Sequence, residues 1–232
     1  MRIVFIHHSA FFAELEKTVL LFDYCEGKLP RVPAGKTLIV LSSHSHGDHF
    51  SARTFRETAG YPSVRYVLSE DIPESAVPAK IRDRVFRARP GDRLEIPLEE
   101  GYAVVDVYRS NDLGCAFRVQ CEGKVLYHAG DLNNWFWDGD EEDLELGRQY
   151  REELRKMAGI PADIAFVPLD PRLKDPYIGM QEYMENVGAG KVFPMHCWGK
   201  LSLASRMKRD GACGNWADKL VEISGDGEEF IC

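Results

Sequence analysis

The sequence predicts an α+β fold with two sheets and outer helices, and three observations point there. The 232-residue chain opens on short apolar runs of strand length and only later alternates helical and strand patterns. Hydrophobic residues make up 44% and charged ones 28%, the balance of an ordinary globular core. No apolar run reaches the roughly 18 residues that a membrane span needs. Repeats, low-complexity tracts and linkers are absent, so residues 1–232 are read as one domain.

The elements follow in order. Residues 2–6 and 18–24 read as strands, with polar Glu14, Glu16 and Lys17 between them. Residues 37–41 form a continuous apolar run that suits a strand buried on both faces. Ser51 stands where it could cap a helix running through Phe55 and Thr58. Further strands are expected at 65–68, 84–88 and 102–108, and a hairpin joins 116–120 to 124–128 through Cys121-Glu122-Gly123. Residues 140–157 are the best helix: an acidic first turn, a basic end, and Leu144, Tyr150, Leu154 and Met157 near helical spacing. A core strand at 164–169, a helix at 177–186 and a strand at 191–194 complete the pattern.

Composition narrows the function. A net charge of −8 argues against a nucleic-acid or anionic-membrane surface. It leaves room for a small anionic substrate, because a bound metal dominates its local field. Six cysteines are scattered without a Cys-x-x-Cys pair, and the N-terminus lacks the form of a signal peptide. Reduced thiols and a cytoplasmic location are the expectation.

The chemistry concentrates in Ser43-His44-Ser45-His46-Gly47-Asp48-His49, directly after a predicted core strand. Four ligand-type residues so close together, in a chain with seven histidines, have the donor chemistry of a zinc, iron or manganese site. Gly47 relaxes the backbone so that side chains on either side can converge. Two later strands also end on donors: Tyr127-His128-Ala129-Gly130-Asp131 and Val192-Phe193-Pro194-Met195-His196. A carboxylate such as Asp131 can bridge two metal ions.

Together these residues resemble the metallo-β-lactamase fold superfamily, through His44-x-His46-x-Asp48-His49, then Asp131, then His196. The resemblance implies a four-layer αββα sandwich with the site at one edge between the sheets. It places His44 and His46 in a first metal site, Asp48, His49 and His196 in a second, and Asp131 between them. The small single-domain hydrolase branch is the nearest match. One family histidine, expected ahead of the Gly-Asp turn, is missing. Ser110 stands at roughly that position and Asp112 nearby. Asp112 could replace it, water could, or only the second site could hold metal; the second set is expected to bind more tightly.

The implied function is a metal-dependent hydrolase. One or two divalent ions, Zn2+ first with Mn2+ or iron as options, would activate water against a small ester, phosphoester, thioester, amide or lactone. Asp48 or Asp131 would take part in proton transfer. An iron-dependent oxidoreductase and a non-catalytic metal-binding module are the alternatives. Several further residues carry two readings. His8 could contact the site or be a plain edge residue. His128 is expected to pack away from the metal. Trp135 and Trp137 could be core or pocket. Asp170 could orient a metal-bound histidine, Arg172 could hold an anionic substrate group, and Cys197 is expected to be buried packing. The loops 71–80 and 133–140 are expected to shape the pocket.

Overall fold

Alternation along the strands generates the layers. In β1 (Arg2–His7), Ile3 and Phe5 join one apolar core while Val4 and Ile6 join another. The same split recurs in β4 (Thr37–Ser42), where Ile39 and Leu41 face the first core and Leu38 and Val40 the second. A sheet with two apolar faces has to be covered on both. The computed structural model, which describes residues 1–232, shows how this is done.

The first sheet has the order β13-β1-β2-β3-β4-β5-β6, adding β2 (Ala10–Glu14), β3 (Thr18–Phe22), β5 (Val64–Ser69), β6 (Val85–Ala88) and β13 (Glu229–Ile231). β3, β4, β5 and β6 run parallel to one another, so β3 and β4 end at the same edge, with Phe22 opposite Leu41. The second sheet has the order β12-β11-β10-β9-β8-β7. It comprises β7 (Arg93–Pro97), β8 (Tyr102–Arg109), β9 (Cys115–Cys121), β10 (Lys124–His128), β11 (Ala162–Pro168) and β12 (Ala189–Met195). Here β10, β11 and β12 are parallel.

The sheets face each other across an aromatic seam, in which Phe11 stacks on Phe166 with ring centres 4.2 Å apart. Helix α1 (Arg53–Thr58) covers the outer face of the first sheet, its Phe55 meeting Tyr66 at 5.4 Å. Helices α2 (Glu141–Lys156) and α3 (Ile178–Asn186) belong to the second sheet's side, where Tyr183 stacks on Tyr127 at 4.8 Å. Helix α4 (Leu203–Arg209) follows β12. The arrangement is the four-layer αββα sandwich that the sequence leads one to expect.

Differences from the sequence reading have physical causes. β2 was not separated from its neighbours, because a two-residue turn without glycine joins it to β1 and its Phe11-Phe12-Ala13 run shows no alternation. β7 and β13 are edge strands, defined by backbone pairing more than by apolar pattern. Ser51 does not cap α1: the helix starts after Ala52, and the Ser51 hydroxyl donates to the Cys25 carbonyl at 3.0 Å. Helix α2 does have its cap, Asp140 accepting from Asp143 N at 3.0 Å. All six cysteines are free, and no helix is long and apolar enough to cross a membrane.

One glycine ties the fold to the site. Gly114, at φ +70°, lets the β8–β9 turn lie against the end of β4, where Cys115 N donates to Ser43 O at 3.0 Å. A Cβ at Gly114 would collide with the Ser43 carbonyl and stand 2.6 Å from His44 Cβ. Gly114→Ala is therefore expected to destabilise the chain by about 2 kcal/mol or more, read from the midpoint of a urea titration.

Candidate metal centre

Seven side chains gather at one edge of the sandwich because strands of both sheets end there. β1 delivers His8, β4 delivers His44, His46, Asp48 and His49, β10 delivers Asp131, and β12 delivers His196. The β8–β9 turn adds Asp112. They form two clusters, His44-His46-Asp112-Asp131 and His8-Asp48-His49-His196, with the donor atoms of each within 4.8 Å of one another.

Asp131 stands between the clusters. Its Oδ2 lies 3.3 Å from His44 Nε2, and its Oδ1 lies 3.1 Å from His49 Nε2 and 3.6 Å from His196 Nε2. Asp48 Oδ2 lies 3.4 Å from His8 Nε2 and 3.9 Å from His196 Nε2. On the other side, His46 Nδ1 faces Asp112 Oδ2 at 3.7 Å. His8, Asp48, His49 and His196 are buried or half-buried, whereas His46 and Asp112 are exposed at the mouth.

A second tier fixes the imidazoles. Asp23, fully buried at the end of β3, accepts from Ser43 N at 2.7 Å, from the Ser43 hydroxyl at 2.6 Å and from His49 Nδ1 at 2.7 Å. With its proton committed to Asp23, the Ser43 oxygen accepts from His44 Nδ1 at 2.9 Å. Asp170, after β11, accepts from His196 Nδ1 at 3.0 Å. This network sets the tautomers: His44, His49 and His196 each donate through Nδ1 and turn an Nε2 lone pair to the centre.

The donors fit a cation. His8 Nε2, His44 Nε2, His49 Nε2 and Asp131 Oδ1 are buried and have no hydrogen-bond partner. Orphaned atoms of this kind cost about 1–3 kcal/mol each in a closed interior, and a positive ion in each cluster would answer them. The local charge is consistent. Burial disfavours a charged His49, yet the carboxylates of Asp131 and Asp23 outweigh it and raise its pKa from 6.5 to about 10, so the pocket favours a positive charge here, which a bound cation would carry in place of the Nε2 proton. Burial would raise Asp131, but His44 and His49 hold it well below the usual carboxylate range.

Backbone strain marks the same residues. His8, Asp23 and His196 have φ of 50, 43 and 58°, in the left-handed region that L side chains rarely adopt. His196 N also donates to His8 O at 3.2 Å, so β12 and β1 meet directly at the site.

The structure also separates the candidates of the sequence reading. Ser110 is not in either cluster: its hydroxyl accepts from Asp112 N at 3.2 Å, shaping the turn that presents Asp112. His8 joins Asp48, His49 and His196, three members of the expected second set, in one cluster. Of the two readings open to His8, the structure takes the site contact; its ligand-type neighbours lie 40 and 188 positions along the chain, at Asp48 and His196. Asp23 was missed, being the last polar residue of an apolar run. His128 packs as expected, fully buried, stacked on Phe22 at 5.1 Å, with Nε2 donating to Ser9 O at 2.9 Å. Cys197 is likewise buried, its thiol pushed up to about 12 by burial. His7 is half-buried and paired with Asp226 at 2.8 Å.

A cavity of about 490 Å³ opens onto the clusters, lined by His46, Asp112, Asp131, Trp135, Trp137 and Arg172 among others. The 133–140 loop thus reaches it, through Trp135 and Trp137. The 71–80 loop does not line it; Asp71 instead accepts from Ser45 N at 2.8 Å, steadying the histidine loop from outside.

Known proteins share this fold. A sequence family described as "Beta-lactamase superfamily domain" matches residues 2–196. A protein of Korarchaeum cryptofilum named UPF0173 metal-dependent hydrolase is 27% identical over 212 residues, covering 84% of this chain and 82% of its own. Among solved structures, Igni18, a metallo hydrolase of Ignicoccus hospitalis, superposes with a TM-score of 0.66 at 16% identity, covering 99% of this chain and 97% of its own. YhfI of Bacillus subtilis, a metallo-β-lactamase fold protein, does so with 0.64 at 13% identity, covering 99% of both chains.

The two tiers make separable predictions. Asp23→Asn leaves one acceptor oxygen where two are used, and should weaken metal binding by roughly 10–100-fold in competition with a chromophoric chelator. His8→Ala and Asp112→Ala should each weaken one of two binding phases, while His7→Ala changes neither.

Proposed function

The chain belongs to the beta-lactamase superfamily, and from that membership together with the geometry we propose that it is a metal-dependent hydrolase of small molecules holding one or two divalent ions, zinc foremost. The observation that carries the reading is the convergence of His8 Nε2, His44 Nε2, His49 Nε2 and Asp131 Oδ1, all buried and all without a hydrogen-bond partner. The name borne by the Korarchaeum cryptofilum relative supports it.

His44, His46, Asp112 and Asp131 would hold one ion, and His8, Asp48, His49 and His196 the other, with Asp131 standing between the two sets. When bound, a divalent cation supplies Lewis acidity, making water nucleophilic near neutral pH and drawing charge from the group under attack.

The chain's own residues do the rest. Asp131 is 5% exposed and spans the clusters, so it fixes their spacing and is poorly placed to exchange protons with solvent. Asp48 has a side chain 36% exposed and lines the cavity, which makes it the better proton acceptor. The His8 contact holds its pKa below the ordinary carboxylate range, against the effect of burial. A carboxylate of that kind stays ionised at neutral pH and is a weak base, so a proton it accepts is held only briefly. Trp135 donates from its indole nitrogen to Asp131 O at 2.9 Å and closes the cavity wall behind that residue.

Protein purified without added metal should contain zinc near two ions per chain by elemental analysis. It should hydrolyse at least one member of a panel of phosphoesters, thioesters and lactones. Chelation should abolish turnover and zinc restore it. His46→Ala and Asp131→Ala should each lower kcat/KM by more than about 100-fold, beyond the loss usual for residues that only orient a ligand. Iron with a redox-active absorption band would move the reading to oxidation chemistry.

A further inference from the structure

Arg172 is only half used by the fold. It follows β11, and its Nε and Nη2 donate to the buried Asp170 carboxylate at 3.0 and 2.6 Å. That is one side of the guanidinium fork. Nη1 has no partner in the protein, and Nη2 has a second hydrogen, so the end of the fork formed by Nη1 and Nη2 is unspent. The side chain is 45% exposed and lines the cavity over the metal clusters.

Its orientation is fixed on every other side. Cζ lies 4.3 Å from the Trp198 ring centre and 5.4 Å from that of Trp137. Trp198 is itself held by its indole nitrogen, which lies 3.3 Å from Asp170 Oδ2. Both indoles are exposed large apolar groups, 45 and 39% accessible, at the rim of the cavity. A guanidinium clamped by a carboxylate and two aromatic faces has lost its rotational freedom before any ligand arrives. Bidentate recognition of an oxyanion is then favoured, since the ordering cost has already been met. Apart from histidines, Arg172 is the sole basic residue lining the cavity. Glu142 also lines it and disfavours a second anionic group.

We propose that the substrate carries one oxyanionic substituent, a carboxylate or a phosphate-type group, which the free Nη1–Nη2 end of Arg172 binds while the scissile group lies at the metal clusters. The proposal rests on the hydrolase reading for the identity of the scissile group, and on Arg172 alone for the anion. Asp170 links the two, because the same carboxylate orients His196 and Arg172.

The test uses the zinc-loaded protein and three 4-nitrophenyl esters of matched acyl length: butanoate, hemisuccinate and 3-phosphonopropanoate. A kcat/KM at least about tenfold higher for an anionic ester than for butanoate is expected, the size of one or two charge-assisted hydrogen bonds, and the better anion identifies the group. In Arg172→Gln the ratio should fall to near one, chiefly through KM, and Arg172→Lys should restore part of it. A role confined to steadying Asp170 would lower all three esters together and leave the ratio standing. Binding is read separately by tryptophan fluorescence with the corresponding amides, butyramide, succinamate and 3-phosphonopropionamide. Arg172-dependent binding of an anionic amide without any ester turnover would uphold the anion site and overturn the hydrolase reading. Turnover of all three esters at equal kcat/KM, with equal amide binding, would overturn the anion site and leave the hydrolase reading intact.

Discussion

A carboxylate buried in a protein interior must be compensated, and at Asp131 the compensation comes almost wholly from imidazoles. His44, His49 and His196 approach its two oxygens from strands of different sheets. Neither sheet alone could satisfy that charge, so the edge at which the sheets meet is also where the electrostatics must close. Much of the local structure follows from this demand. Asp23 and Asp170 supply the outer acceptors that fix the ring tautomers, and Ser43 relays one of those acceptors to His44.

The strained backbone has the same origin. His8, Asp23 and His196 each take a left-handed conformation immediately after a strand. Each thereby turns a side chain that would have continued along the sheet into the gap between sheets. Such a conformation costs on the order of 1 kcal/mol for a residue other than glycine, and it persists where the resulting contacts over-determine it. Gly114 shows the converse: there the approach of two backbones leaves no space for a Cβ at all.

The site's two faces are chemically unequal. The inner face holds His8, His44, His49, Asp131 and His196, most of them shut from solvent. The outer face holds His46 and Asp112, exposed and paired at 3.7 Å. Asp112 adds a carboxylate beside His46, which makes the outer face more acidic and gives the guanidinium of Arg172, on the same cavity, more weight in balancing its charge.

Local sequence suffices for the apolar runs that became β3, β4 and β11, for helix α2, and for the donor string from His44 to His49. These are local properties, written in consecutive residues, and Asp131 and His196 were legible as donors at the ends of strand-like runs. Which distant donors share a point is settled by how the sheets assemble. That assembly brought His8 to Asp48 and His196, set Asp112 rather than Ser110 against His46, and made Asp23 the hub behind His44 and His49. Strand order and the direction in which each strand ends fix those meetings, and both depend on how whole sheets pair and pack. A residue's chemistry is carried by its own side chain, whereas its partners are chosen by the fold.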